Sequence, residues 1–97
     1  MKALWILYDI VLDETILEIL DDLKITGFTR WPRLTGHGPK NTRMDNNVWP
    51  GANAAIMTVQ NDDLIGVAMR RLQALRDDEE SRGGIWAFTA PVSDMLA

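Results

Sequence analysis

Two short stretches of this chain carry residue types from which an anion site can be built. Gly36-His37-Gly38-Pro39-Lys40 sets two glycines beside a cation. Glycines let backbone N–H groups close around a phosphate-like group, and the lysine adds charge. Arg82-Gly83-Gly84 repeats the combination in smaller form. The candidate ligand contacts are therefore Gly36, His37, Gly38, Lys40, Arg82, Gly83 and Gly84. Each stretch also has a plainer reading. Gly-x-Gly serves any tight turn, and Arg-Gly-Gly serves a simple helix-to-strand turn.

His37 is the only histidine, and there is no cysteine. A lone imidazole can titrate near neutral pH. Without thiolates or a spaced carboxylate partner it makes a poor metal set, and Met44 and Asp45 nearby do not complete one. The absence of cysteine excludes disulfides and thiolate redox chemistry. No Ser-His-Asp, paired-carboxylate or P-loop pattern occurs, so no residue is assigned a catalytic role and a non-enzymatic protein is expected. Net charge is −4, which argues against non-specific nucleic-acid binding. Arg30, Arg33, Lys40 and Arg43 nevertheless cluster in the middle of an acidic chain, a local excess suited to a small anion. Arg30 and Arg33 themselves read as solvated edge-strand charge. The Asp77–Glu80 run reads as a solvated helix exit.

The elements that must position these stretches follow from periodicity. Lys2 to Ile10 is nearly all apolar on both alternating sets, the pattern of a central strand. Leu12, Ile16, Ile19, Leu20 and Leu23 then recur at helical spacing, with Asp13 as the expected N-cap and Gly27 as the stop. Gly27 to Thr35 alternates in part, but Pro32 cannot donate to a ladder, so this strand belongs at an edge. Gly36 to Ala52 is dense in Gly, Pro and Asn and reads as a loop of roughly 17 residues, a length usually tied to function. Asn53 to Gln60 is a third strand. Asn61 or Asp62 caps a second helix with Leu64, Val67, Ala68, Leu72 and Leu75 as its stripe. Gly83-Gly84 breaks the chain before a fourth strand, Ile85 to Val92.

The 97 residues suit one domain spanning 1–97. The order βαββαβ predicts an α+β, ferredoxin-like sandwich: a four-stranded antiparallel sheet with both helices on one face. The first and third strands are then central. Three strands are apolar on both faces, yet the helices cover only one. A monomer would expose a patch larger than soluble monomers tolerate, so a homo-oligomer is expected. The longest apolar run, Ala3 to Leu7, is too short to span a bilayer, and the N-terminus has no signal-peptide pattern. A cytoplasmic protein without membrane insertion is expected.

The elements resemble those of PII-like signalling proteins over nearly the whole chain. "MKALWILYDIVLDETILEILDDLKITGFTRW" is similar to the opening strand, Leu-Asp, amphipathic helix and Gly-led second strand of that family. "LTGHGPKNTRMDNNVWPGANAAIMTV" resembles the short-loop branch, with Trp49-Pro50-Gly51 and Asn53 as the most specific piece, and "GGIWAFTAPVSDML" resembles its last strand. The resemblance implies a homotrimer with ligand clefts between subunits. Those clefts are lined by the loop after the second strand (Gly36, His37, Gly38, Lys40) and the loop before the fourth (Arg82, Gly83, Gly84). It implies a small-molecule effector, an adenine nucleotide among the candidates, and a target protein met by loop 36–52. The Thr-Gly-x-x-Gly-Asp-Gly-Lys stretch of true PII proteins is absent; Arg82-Gly83-Gly84 stands in its place. The loop tyrosine used for nucleotidylation is also missing, since Tyr8 is the only tyrosine. These departures point to a different or reduced ligand. A metal-responsive trimer resembling the CutA family and a small ferredoxin-like enzyme using His37 are the alternatives.

Overall fold

A computed structural model describes residues 1–35, 52–78 and 84–97 of the chain. Strand β1 runs Lys2–Asp9 and passes through a single 3₁₀ turn, Ile10–Leu12, into helix α1, Asp13–Asp22. Strand β2 is Thr29–Leu34, β3 is Asn53–Gln60, helix α2 is Asp62–Asp77 and β4 is Ile85–Pro91. The strands form one antiparallel sheet in the order β2-β3-β1-β4. The first and third strands are central, and the strand holding Pro32 is an edge, as the sequence predicts.

Alternation sorts the side chains. Leu4, Ile6 and Tyr8 of β1, Ala54 and Ile56 of β3 and Ile85 of β4 form one core with Ile16, Ile19 and Leu20 of α1 and Ile65, Ala68 and Leu72 of α2. Trp5 and Leu7 point to the opposite face, where no helix lies, and are half-buried there. In α2 the buried stripe is Ile65, Ala68 and Leu72, with Leu64 and Leu75 at its margin. Ile65 stands at the centre of the stripe although the reading from spacing passed over it. Asn61 caps α2 as expected, its carboxamide oxygen accepting from Leu64 N–H at 2.8 Å.

Two local expectations are corrected. Asp13 is not an N-cap. The 3₁₀ turn precedes α1, Asp9 caps that turn by accepting from Val11 N–H, and Asp13 opens the helix with its carboxylate committed elsewhere. Gly27 does not stop α1 either. The helix closes three residues earlier, where Lys24 takes φ +61°. Lys24 N–H donates to the Asp21 carbonyl and Ile25 N–H to the Leu20 carbonyl, both at 2.9 Å. This is a Schellman closure, with buried Ile25 folded onto buried Leu20. A lysine in the left-handed region strains its Cβ against the backbone. Lys24→Gly is therefore expected to raise stability by about 0.5–1 kcal/mol, the relief exceeding the added freedom of the unfolded chain. A shift of the urea midpoint to higher concentration checks it; an unchanged midpoint would mean that Lys24 carries no net strain.

Candidate functional site

The alternation of β1 decides where the rest of the chain returns to the sheet. Even-numbered residues of β1 turn their backbone groups to β3 and odd-numbered ones to β4. At the end of the strand this phase puts two consecutive amides on two different partners. Asp9 N–H donates to the Gly84 carbonyl at 2.9 Å, and Ile10 N–H donates to the Ala52 carbonyl at 3.2 Å. Gly84 and Ala52 are the first described residues after the stretches 79–83 and 36–51. Gly84 and Ala52 therefore return to one corner of the sheet, on adjacent amides at the end of β1 and the start of the 3₁₀ turn.

That corner is tightly built. The Asp9 side chain is buried, at 5% exposure, and its carboxylate accepts from Val11 N–H at 3.1 Å. This holds the 3₁₀ turn against the strand end and leaves Val11 itself exposed. Leu34 at the end of β2 pairs with Asn53 at the start of β3, so the stretch between them also leaves from this end of the sheet.

Beside the corner lies a network that pattern reading missed. Tyr8 is buried, and its hydroxyl donates to Asp13 Oδ1 at 2.6 Å. Arg30 grips the same carboxylate with both arms, Nε to Oδ1 at 3.0 Å and Nη2 to Oδ2 at 2.6 Å. One carboxylate thus ties β1, the start of α1 and edge strand β2 together. Burial, with Asp13 close by, pushes the Tyr8 phenol above its ordinary range. The Asp13 carboxyl is pushed up by partial burial, but the donors on Arg30 and Tyr8 outweigh that and hold it below its ordinary value. Arg30, read from sequence as solvated charge, sits opposite Ile56 on the helix-covered side of the sheet. Its place in the alternation, between outward-facing Thr29 and Trp31, is the one signal that could have found it.

Of the seven predicted contact residues, Gly36, His37, Gly38, Lys40, Arg82 and Gly83 lie outside the described residues. Gly84 lies within them; it is buried and supplies the carbonyl that Asp9 N–H meets. Among the described residues no cluster of three or more His, Cys, Asp or Glu side chains is placed to hold a metal ion. No described helix is long and apolar enough to cross a membrane.

No protein-family model matches the chain, and no curated protein matches it. Solved structures do. CPII from Thiomonas intermedia K12, a nitrogen regulatory PII-like protein, bound to ADP, AMP and bicarbonate, superposes with a TM-score of 0.66 at 20% identity, over 98% of this chain and 94% of that one. Its apo form gives 0.64 at 19% identity, over 94% and 89%. A PII-like signaling protein from Thermus thermophilus gives 0.60 at 24% identity, over 92% and 83%. The fold is the ferredoxin-like α+β fold of PII-like proteins.

Proposed function

We propose that this protein is a PII-like regulatory protein, a cytoplasmic homotrimer that takes a small anionic ligand at clefts between its subunits and signals through loop 36–52. The observation that supports this reading is the shared corner at Asp9 and Ile10, where Gly84 and Ala52, the residues that follow 79–83 and 36–51 in the chain, meet adjacent amides. Lys40 and Arg82 supply the positive charge, and Gly36, His37, Gly38, Gly83 and Gly84 supply backbone that can approach closely. Similar structures bound to ADP and AMP make an adenine nucleotide the first ligand class to try. Ligand energy spent on ordering the loop would be the signal to a target protein. No residue is given a catalytic part.

The test is calorimetric titration with ATP, ADP and AMP, with the mass read by light scattering. A trimer that binds one of them is the expected result. Lys40→Ala with Arg82→Ala is expected to weaken that binding at least tenfold while the mass stays at three chains, because each cation contributes a charge-assisted contact of roughly 1.5–3 kcal/mol. Unchanged affinity in the double variant would remove these two residues from the site. A trimer that binds no adenine nucleotide would leave the assembly standing and overturn the ligand class.

A further inference from the structure

The two edge strands are fastened to the molecule in different ways. Strand β4 sends buried Ile85 into the core, and Ala87 packs against that core. Strand β2 contributes nothing to it, and none of its six side chains is buried. Buried apolar area is what makes the removal of a strand costly. Peeling β4 away would open the core; peeling β2 away would leave it closed.

The ladder under β2 is also short. Thr29, Arg30 and Trp31 pair regularly with Met57, Ile56 and Ala55. The register then shifts before Leu34, and Pro32 inside that gap has no N–H to give. Upstream, the chain is pinned as far as Gly27: Ile25 is buried, and the Gly27 carbonyl accepts from the Thr58 hydroxyl at 2.6 Å. The pinning therefore ends just before the strand begins.

Beyond the ladder, two adjacent residues on opposite faces fasten β2. Arg30 lies opposite Ile56 on the helix-covered side and reaches across β3 to Asp13, which Tyr8 of β1 also holds. Trp31 lies opposite Ala55 on the open side and reaches across β3 to stack on Trp5 of β1, 5.7 Å away and within 18° of parallel. One charged and one aromatic side chain thus straddle β3, and neither belongs to the core.

We propose that β2 is a hinged strand that swings off β3 as one unit about the Gly27–Phe28 link, with Arg30 and Trp31 as its clasp, while β1, β3, β4 and both helices stay folded. Because the clasp residues are neighbours in the chain, the two faces of the sheet are coupled. Release of Asp13 by Arg30 on the helix-covered side withdraws Trp31 from Trp5 on the other. The device goes beyond the proposed ligand corner and does not rest on it.

Native-state amide hydrogen exchange, followed residue by residue on the full chain, tests it. The register supplies the probes. Ile10 N–H meets the Ala52 carbonyl, so even-numbered residues of β3 turn their backbone groups to β1 and odd-numbered ones to β2. Ala55 and Met57 therefore face Trp31 and Thr29, whereas Ala54 and Ile56 of the same strand face Tyr8 and Ile6. Thr29, Trp31, Ala55 and Met57 are expected to be protected at least tenfold less than Ala54 and Ile56, through one common opening. Arg30→Gln should lower the protection of those four at least tenfold further. Ile65→Val thins the core under α2 and still folds. It should lower the protection of Ala54 and Ile56 severalfold and leave the four unmoved, since the core stays closed when β2 opens. Equal protection along β3, or four amides that follow Ile65→Val, would overturn the hinge. Unchanged exchange in Arg30→Gln would overturn the clasp.

Discussion

Asp13→Ala is expected to lower the stability of the folded chain by about 2–3 kcal/mol, a large share of what a domain of this size holds. The loss is more than one ion pair. It leaves the buried Tyr8 hydroxyl without its acceptor and the Arg30 guanidinium without the carboxylate that fixes it. Tyr8→Phe deletes only one donor and should cost about 1 kcal/mol. Arg30→Ala should fall between them and should loosen β2 first, since β2 is paired along one side only. Urea denaturation of the three variants ranks them. Equal stability of Asp13→Ala and the parent would reduce the network to surface decoration.

The same carboxylate predicts how stability responds to acid and alkali. A carboxyl whose folded pKa lies below its unfolded value, near 3.8 for Asp13, contributes stability above that value. It loses that contribution as the pH falls through the folded pKa. Asp13→Asn is therefore expected to flatten the stability profile below about pH 4. Tyr8 has the opposite sign. Its phenol is raised above the ordinary 10.0, so its contribution is complete below that pH and is lost as the pH climbs past it. Tyr8→Phe should flatten the alkaline limb alone. A steep acid limb that survives in Asp13→Asn would place the acid sensitivity elsewhere.

This network also marks the limit of what the sequence made legible. Periodicity placed every described strand and both described helices, because burial imposes a period on a run of residues. Pro32 placed β2 at an edge because the missing donor is a property of that single residue. Asp13 and Arg30 were misread because their roles depend on neighbours brought close only by folding. Asp13 and Arg30 are 17 positions apart, and nothing local couples them. Asp13 and Gly27 each carried a strong local preference, for a cap and for a stop. A 3₁₀ turn capped by Asp9 and a Schellman closure on Ile25 satisfied the same backbone groups by other means. For the proposed ligand site, the sequence supplied the residue types, while the return of Ala52 and Gly84 to adjacent amides came only from the register of the sheet.

Trp86→Lys is expected to change the mass of the protein from three chains to one. The helix-free face of the sheet carries an aromatic row: Trp31 stacks on Trp5 with centroids 5.7 Å apart, Trp5 on Phe88 at 6.3 Å, and Phe88 meets Trp86 at 5.9 Å with a 53° tilt. Ala55 lies opposite Trp31 in the ladder and is buried although no helix covers that side. The row is rigid, since each ring is held by the next, so little order is left to impose on association. Within one chain Trp86 is still 67% exposed, Phe88 43% and Trp31 37%. Rings of this size present 150–250 Å² each, which leaves roughly 300 Å² of aromatic surface in water from these three alone. At about 25 cal/mol per Å², covering it favours association by roughly 7 kcal/mol per chain before the costs of ordering. A lysine at position 86 would put an ammonium into that contact while leaving the helix-side core untouched, because Trp86 contributes nothing to the cluster under α1 and α2. The variant should therefore fold as a monomer of 10.9 kDa by light scattering, with its helical signal retained. A parent protein that is itself monomeric would overturn the oligomer. A variant that keeps the mass of the parent would move the contact to another surface, and the exposed row would then need a different occupant.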